Sequence, residues 1–186
     1  PEAPEAPKVR TYGSVKNIQV SVTWKAVKGA TKYKVAYRVA GKSKWTTKTT
    51  TNTSKTISGL KKGKLYEFKV ASVCKKNGKT LQSKWSGISR RYIKNVKLKA
   101  VKAGKNSVTV KWTKDKKAYG YQIMYSANKD LTGAKTVLVK GKKKTKYTIK
   151  GLKSGQTYYV RVRPVRKYKG KIYKGVVGAL KNVTVK

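Results

Sequence analysis

Histidine is absent from this chain of 186 residues, and cysteine and methionine occur once each. These absences exclude metal centres built on His or Cys clusters. They also exclude Ser-His-Asp and Cys-His nucleophilic machinery. Carboxylates are almost as scarce. Glu2, Glu5, Glu67, Asp115 and Asp130 are the only five, and the first two sit in a proline-rich head. The other three have no second carboxylate close by in sequence, which a general acid–base pair would need. Glu67 alternates outward beside Lys69 and is expected to be a solvated surface carboxylate. Asp115 falls in the turn Lys114 to Lys117, and Asp130 just before Leu131. The chain is therefore expected to be no enzyme, with no cofactor and no metal. No run approaches the roughly 18 apolar residues of a membrane-crossing helix. A lone cysteine makes no internal disulfide, so it does not report the redox compartment. The chain starts at Pro1 without a visible leader or anchor and is expected to be a processed form or a piece of a larger protein.

Positive charge is what the sequence has in abundance. Lys plus Arg total 49, for a formal net charge of +44. Of these cations 42 are Lys and 7 are Arg. Lysine is a strongly hydrated point charge, whereas arginine supplies a planar fork. A lysine-dominated surface points to diffuse attraction to polyanions. A composition this charged can belong to a disordered chain, but ordered patterning argues otherwise. Residues 1–7, PEAPEAP, read as an extended, semi-rigid linker. The rest divides into two copies, 8–93 and 94–186. Trp24 and Trp112 lie 88 residues apart, as do Tyr33 and Tyr121. Leu60 and Leu152 lie 92 apart, as do Tyr66 and Tyr158. A period near 90 residues means tandem domains, not a solenoid of short units.

Within each copy the apolar residues alternate. Ile18, Val20, Val22 and Trp24 share one face, as do Tyr33, Val35 and Tyr37, then Tyr66, Phe68, Val70 and Ser72. The second copy repeats this with Val108, Val110 and Trp112, then Tyr121, Ile123 and Tyr125, then Tyr158, Val160 and Val162. Period-two alternation with one polar face marks antiparallel strands half exposed to water. Turn signals such as Lys76-Asn77-Gly78-Lys79 separate them. The expected fold class is all-β: two tandem immunoglobulin-like sandwiches of about seven strands each.

The landmarks resemble the fibronectin type III family. They are a Trp ending the second strand, a Tyr-x-Val-x-Tyr third strand, and a Gly-Leu-x-x-Gly-x-x-Tyr corner at Gly59 to Tyr66 and again at Gly151 to Tyr158. The resemblance implies that the corner tyrosine hydrogen-bonds back to the preceding loop and that its ring caps the core. The family's usual proline before the corner glycine is replaced by Lys62 and Ser154. The Lys-, Tyr- and Thr-rich style, with the hairpin Lys169 to Tyr173, is similar to tandem repeats of secreted or wall-attached proteins of Gram-positive bacteria. The Arg-Gly-Asp tripeptide of some family members is absent, and the matching hairpin tips are Lys75 to Lys79 and Lys167 to Lys171.

The basic residues are the binding candidates. In copy one Lys32, Lys34, Arg38 and Lys69 fall on outward positions. In copy two Lys142, Lys143, Lys144 and Lys146 form a dense tract. Tyr159, Arg161 and Arg163 alternate outward, beside Gln122 and Met124 on the neighbouring strand. An aromatic ring beside charged forks suits sugars, sulfate or phosphate. Ordinary solubility needs a net charge of only about 2–8. The expected function is an extracellular adhesion module, secreted or on a bacterial cell surface, that attaches to anionic polymers. Polysaccharide, teichoic acid, glycosaminoglycan or mucin glycans and nucleic acid all qualify. Two alternatives stand beside it: a spacer or accessory module of a larger secreted protein or hydrolase, and a secreted ligand of a host protein receptor. A monomer is expected. Trp45 and Trp85 lack second-copy counterparts and are expected to pack locally, with ligand contact as the other reading. Cys74 is expected to be a small, partly buried core residue, the other reading being a reactive thiol beside Lys75 and Lys76. Asn52-Thr53-Ser54 and Asn182-Val183-Thr184 fit the glycosylation pattern, a chance match in a bacterial source.

Overall fold

The computed structural model describes residues 2–14 and 18–186, and among these there is no helix. The chain divides into two compact units, Pro1–Ile93 and Lys94–Lys186. The first unit runs β1 (Val9–Ser14), β2 (Gln19–Trp24), β3 (Lys32–Val39), β4 (Thr46–Thr50), β5 (Ser54–Ile57), β6 (Leu65–Lys76), β7 (Lys79–Gln82) and β8 (Ser89–Tyr92). The second runs β9 (Leu98–Gly104), β10 (Ser107–Trp112), β11 (Gly120–Ser126), β12 (Lys135–Lys140), β13 (Lys146–Lys150), β14 (Thr157–Tyr168), β15 (Lys171–Lys174) and β16 (Lys181–Thr184). Each unit is an immunoglobulin-like sandwich. A three-stranded sheet, β1-β2-β5 or β9-β10-β13, faces a larger one in which β6 or β14 is central. In the first unit that sheet is β4-β3-β6 with β7 and β8 on the far side of β6; in the second it is β12-β11-β14 with β15 and β16. All the pairings are antiparallel.

The alternation read from the sequence places one core in each unit. In the first, Val20, Val22, Trp24, Tyr33, Val35, Phe68 and Val70 meet between the sheets. In the second, Val108, Val110, Trp112, Tyr121, Ile123, Val160 and Val162 do the same. Trp24 meets Tyr33 edge-on at 5.2 Å between ring centroids, and Trp112 meets Tyr121 at 5.4 Å. The corner tyrosines act as the resemblance implies. Tyr66 Oη accepts from the Lys61 amide at 2.9 Å, and Tyr158 Oη from the Lys153 amide at 3.3 Å. Gly63 and Gly155, which follow Lys62 and Ser154, adopt φ of 77° and 75°. That left-handed turn requires glycine whether or not a proline precedes it.

The last strand of each unit is interrupted at the same place. In the first unit the Ser83 and Ser86 amides keep the ladder by donating to the Ser72 and Val70 carbonyls. Their hydroxyls accept from the Ser72 and Val70 amides in return. In the second unit Gly175 and Gly178 donate to the Pro164 and Val162 carbonyls. A β-carbon on Gly175 would come within 2.6 Å of the Pro164 and Lys94 carbonyl oxygens. Pro164 has no amide to satisfy, so the hydroxyl that Ser83 supplies has no use at that position. Part of the proline-rich head lies on the first unit: Pro7 is buried, and the Glu5 carbonyl accepts from the Ser72 hydroxyl. Cys74 is buried with its thiol unpaired, opposite Leu81.

The two corners make unequal bonds. Removing the Tyr66 hydroxyl strands the Lys61 amide, and Tyr66→Phe is expected to cost the first unit about 1–2 kcal/mol. The longer Tyr158 bond lies at an exposed position, so Tyr158→Phe should cost the second unit less. Urea denaturation of the two variants checks this, with equal losses as the contrary result.

Candidate functional site

Outward positions on the larger sheets hold most of the side chains with binding chemistry. In the first unit the register aligns Arg38 of β3, Glu67 of β6 and Arg90 of β8 in one row across the sheet. Glu67 is only 2% exposed. Its carboxylate accepts from Arg38 Nε at 2.7 Å and lies 2.7 Å from Arg90 Nη2. This corrects the expectation of a solvated Glu67. Its outward phase was right, but the stems of two arginines cover it. Burial alone would raise its pKa. The hydrogen bonds and charges of Arg38 and Arg90 outweigh that and hold the carboxyl below the ordinary glutamate value.

The row continues as a stack. Arg38 Cζ lies 4.2 Å from the Trp45 ring centroid, and Lys69 Nζ lies 4.1 Å from it. Lys69 Nζ is also 4.7 Å from the Trp85 ring. Trp45 thus meets two cations, and Lys69 meets two indoles. Burial, then the Arg38 charge, lowers the pKa of Lys69. Arg38 also donates to the Ser43 carbonyl at 3.3 Å. Two of the expected anion-binding residues, Arg38 and Lys69, are therefore engaged inside their own sheet. Trp45 and Trp85 pack between and beside them, and Arg90 joins as a residue the sequence reading did not single out. Lys32 and Lys34 lie farther along the face, half-buried, opposite Val73 and Ala71.

The corresponding row in the second unit is Ser126, Tyr159 and Asn182. Beyond it Arg161 faces Met124, and Arg163 faces Gln122. Tyr159, Arg161 and Arg163 thus share one half-buried face, since Val160 and Val162 between them are fully buried. Arg163 Nε donates to Gln122 Oε1 at 2.7 Å. Arg161 Nε is buried without a hydrogen-bond partner. The loop from β11 to β12 stands next to Tyr159. Ser126 and Asn128 bond the Thr132 carbonyl, and the Thr132 amide donates to Asp130 Oδ1 at 2.9 Å. That bond lowers the Asp130 pKa. Tyr159, Ala127, Asn128, Lys129, Asp130 and Thr132 line an open depression of about 640 Å³.

Lys142, Lys143 and Lys144 occupy the crossover from β12 to β13, all exposed, and Lys146 opens β13 in the smaller sheet. The structure therefore does not gather them with Tyr159, Arg161 and Arg163. Tyr121 anchors the crossover. Its hydroxyl accepts from the Asp115 amide at 2.9 Å and donates to the Lys142 carbonyl at 2.7 Å. Asp115 itself is buried and accepts from the Lys117 amide. A second cationic depression was missed. Lys8, just before β1, and Arg10 and Tyr12 on it line this depression with Thr23, Trp24 and Lys25. The signal was there, since positions 8, 10 and 12 keep the strand period.

The profile of the fibronectin type III domain matches residues 93–174. A second profile, the PBP1-like fibronectin3-like domain, matches residues 11–83. Among solved structures, the FN1–FN3 domains of chicken CNTN1 are 21% identical with a TM-score of 0.41, over 98% of this chain and 68% of that one. The segment of two fibronectin type III domains from chicken tenascin is 19% identical with a TM-score of 0.42, over 99% of this chain and all of that one. No curated protein sequence matches the chain.

Replacing Glu67 by Gln leaves two arginines facing a neutral amide at a buried position. The first unit should lose about 3 kcal/mol. Because the folded pKa is depressed, the wild-type contribution is complete above the ordinary glutamate value of 4.5. It is lost as pH falls through the lower folded value. Tryptophan fluorescence in urea follows this selectively, since Trp24, Trp45 and Trp85 are in the first unit and Trp112 alone in the second. The wild-type midpoint should drop below pH 4.5 by more than that of Glu67→Gln; parallel pH curves are the contrary result.

Proposed function

Taking the chain as two tandem sandwiches of the fibronectin type III type, we propose that it is a cationic extracellular binding module that attaches to anionic polymers by multivalent charge. The fold is consistent with a non-catalytic extracellular or accessory module. Domains of this type often mediate binding, and no helix here is long and apolar enough to cross a membrane. The observation that carries the reading is the charge balance, 49 cations against five carboxylates. One of those carboxylates, Glu67, is already held between two arginines. The exposed lysines of the β12–β13 crossover have no such neutralisation nearby in the sequence. An anionic polysaccharide, a wall teichoic acid or extracellular nucleic acid supplies it from outside. Binding releases the polymer's condensed counterions, which makes affinity fall steeply with salt.

Retention on a heparin column and its salt dependence test this. The chain should stay bound at about 0.15 M salt and elute only well above it. Elution at or below that concentration counts against polyanion attachment. Saturable binding to a protein-bearing surface that survives both high salt and competing polyanion would favour a receptor ligand instead.

A further inference from the structure

The two units treat the same sheet face differently. In the first, the row of Arg38, Glu67 and Arg90 and the stacked Trp45, Lys69 and Trp85 satisfy one another. In the second, the glutamate position is Tyr159 and the flanking positions are Ser126 and Asn182. Arg161 stands where Lys69 stands, but opposite Met124 and with no indole over it. Its Nε is buried and unpartnered. That nitrogen is out of reach of an external oxygen; what a ligand can meet is the remainder of a half-buried guanidinium that no carboxylate or indole of its own unit neutralises.

Tyr159 lies two residues before Arg161 on the same face, about 7 Å along the strand. On its other side the depression brings in Asn128, Lys129, Asp130 and Thr132. The Asn128 amide nitrogen is committed to the Thr132 carbonyl at 3.2 Å, so its oxygen is left to accept. Asp130 is exposed, and Oδ1 takes one bond from the Thr132 amide. An ionised carboxylate accepts about four, so capacity remains. Hydrogen-bond acceptors on one side of an aromatic ring, and a cationic fork on the other, call for a ligand that is rich in hydroxyls at one end and anionic at the other. A polyphosphate offers acceptors alone, so it gives the Asp130 carboxylate and the Asn128 oxygen no donor even though Lys129 lines the same depression. Resting on the polyanion reading above, we propose that Tyr159, Arg161 and the Asn128–Thr132 loop form a subsite for one acidic sugar residue of an anionic polysaccharide. The sugar ring lies against Tyr159. Its hydroxyls donate to Asp130 and Asn128, and its carboxylate or sulfate accepts from Arg161.

Calorimetric titration of the full chain tests this with three probes: an oligouronate, a sulfated oligosaccharide, and polyphosphate of matched charge. The variants are Arg161→Gln, Asp130→Ala, and a triple charge control, Lys142→Gln with Lys143→Gln and Lys144→Gln. Arg161→Gln should weaken at least one of the two sugars about tenfold, and by more than the triple control does. Asp130→Ala should weaken the same sugar and strengthen polyphosphate, because it removes an acceptor from one and a repulsion from the other. If Asp130→Ala strengthens every probe, or Arg161→Gln acts no differently from the lysine control, the subsite is overturned while polyanion attachment stands. If the wild-type chain binds none of the three, attachment itself is overturned. Circular dichroism of each variant separates lost binding from lost folding, and Tyr159→Phe, which keeps the ring, should retain sugar binding.

Discussion

A central strand hydrogen-bonded on both sides has no choice about its two faces: alternate residues go inward, and the rest go onto a surface crowded by neighbouring strands. β6 and β14 are such strands. Their inward residues, among them Phe68, Val70, Val160 and Val162, build the cores. Their outward residues take whatever the rest of the sequence supplies, and this sequence supplies cations. A cation at such a place is partly stripped of water and close to others like it. It needs a carboxylate, a π-face or an acceptor from elsewhere. The first unit supplies all of these from its own residues. Glu67 sits between Arg38 and Arg90, and two indoles take the charge of Lys69.

The second unit lacks the means to do so because different residues stand at the matched positions. Trp85 lies in the interruption of the last strand, between Ser83 and Ser86, which bond β6 through their hydroxyls. The matched interruption of the second unit carries Gly175 and Gly178 packed against carbonyl oxygens. It has buried Val176 nearby and no indole to lay over the sheet. With Tyr159 in the glutamate position and Ser126 and Asn182 beside it, the row has neither the acid nor its two arginines, while Arg161 and Arg163 stand farther along the face. The same scaffold thus carries a self-neutralised face in one unit and an open one in the other.

The cores and corners were legible because each needs only local pattern. Strand period, the Trp–Tyr pairs and the Gly-Leu corners recur at fixed offsets, and each has one stable reading. The fate of Glu67 was not legible. Alternation gives the face of a residue but not what lies over that face, and its cover comes from Arg38 and Arg90, 29 and 23 residues away in sequence. The same limit hid the stack, since Trp45 lies in the connection before β4 and Trp85 in the break of the last strand. The cluster of Tyr159, Arg161 and Arg163 was visible as a period-two run. Its link to Asn128 and Asp130 was not, because a loop's position relative to a strand is set by the fold of the loop, here by bonds converging on Thr132.

The division between arginine and lysine follows from the same constraint. Arg38, Arg90, Arg91 and Arg163 all donate within their own unit, to Glu67, to the Thr11 carbonyl or to Gln122. A planar fork can meet fixed acceptors at a half-buried position. Most lysines instead occupy the exposed crossover, the hairpin tips and the edges, where the ammonium keeps its hydration, with Lys69 over its two indoles as an exception. Arginine therefore largely serves the sheets and lysine the solvent. Arg161 is half-buried in the sheet with its Nε unpartnered and no carboxylate bridged to it, and this sets it apart from the lysines around it.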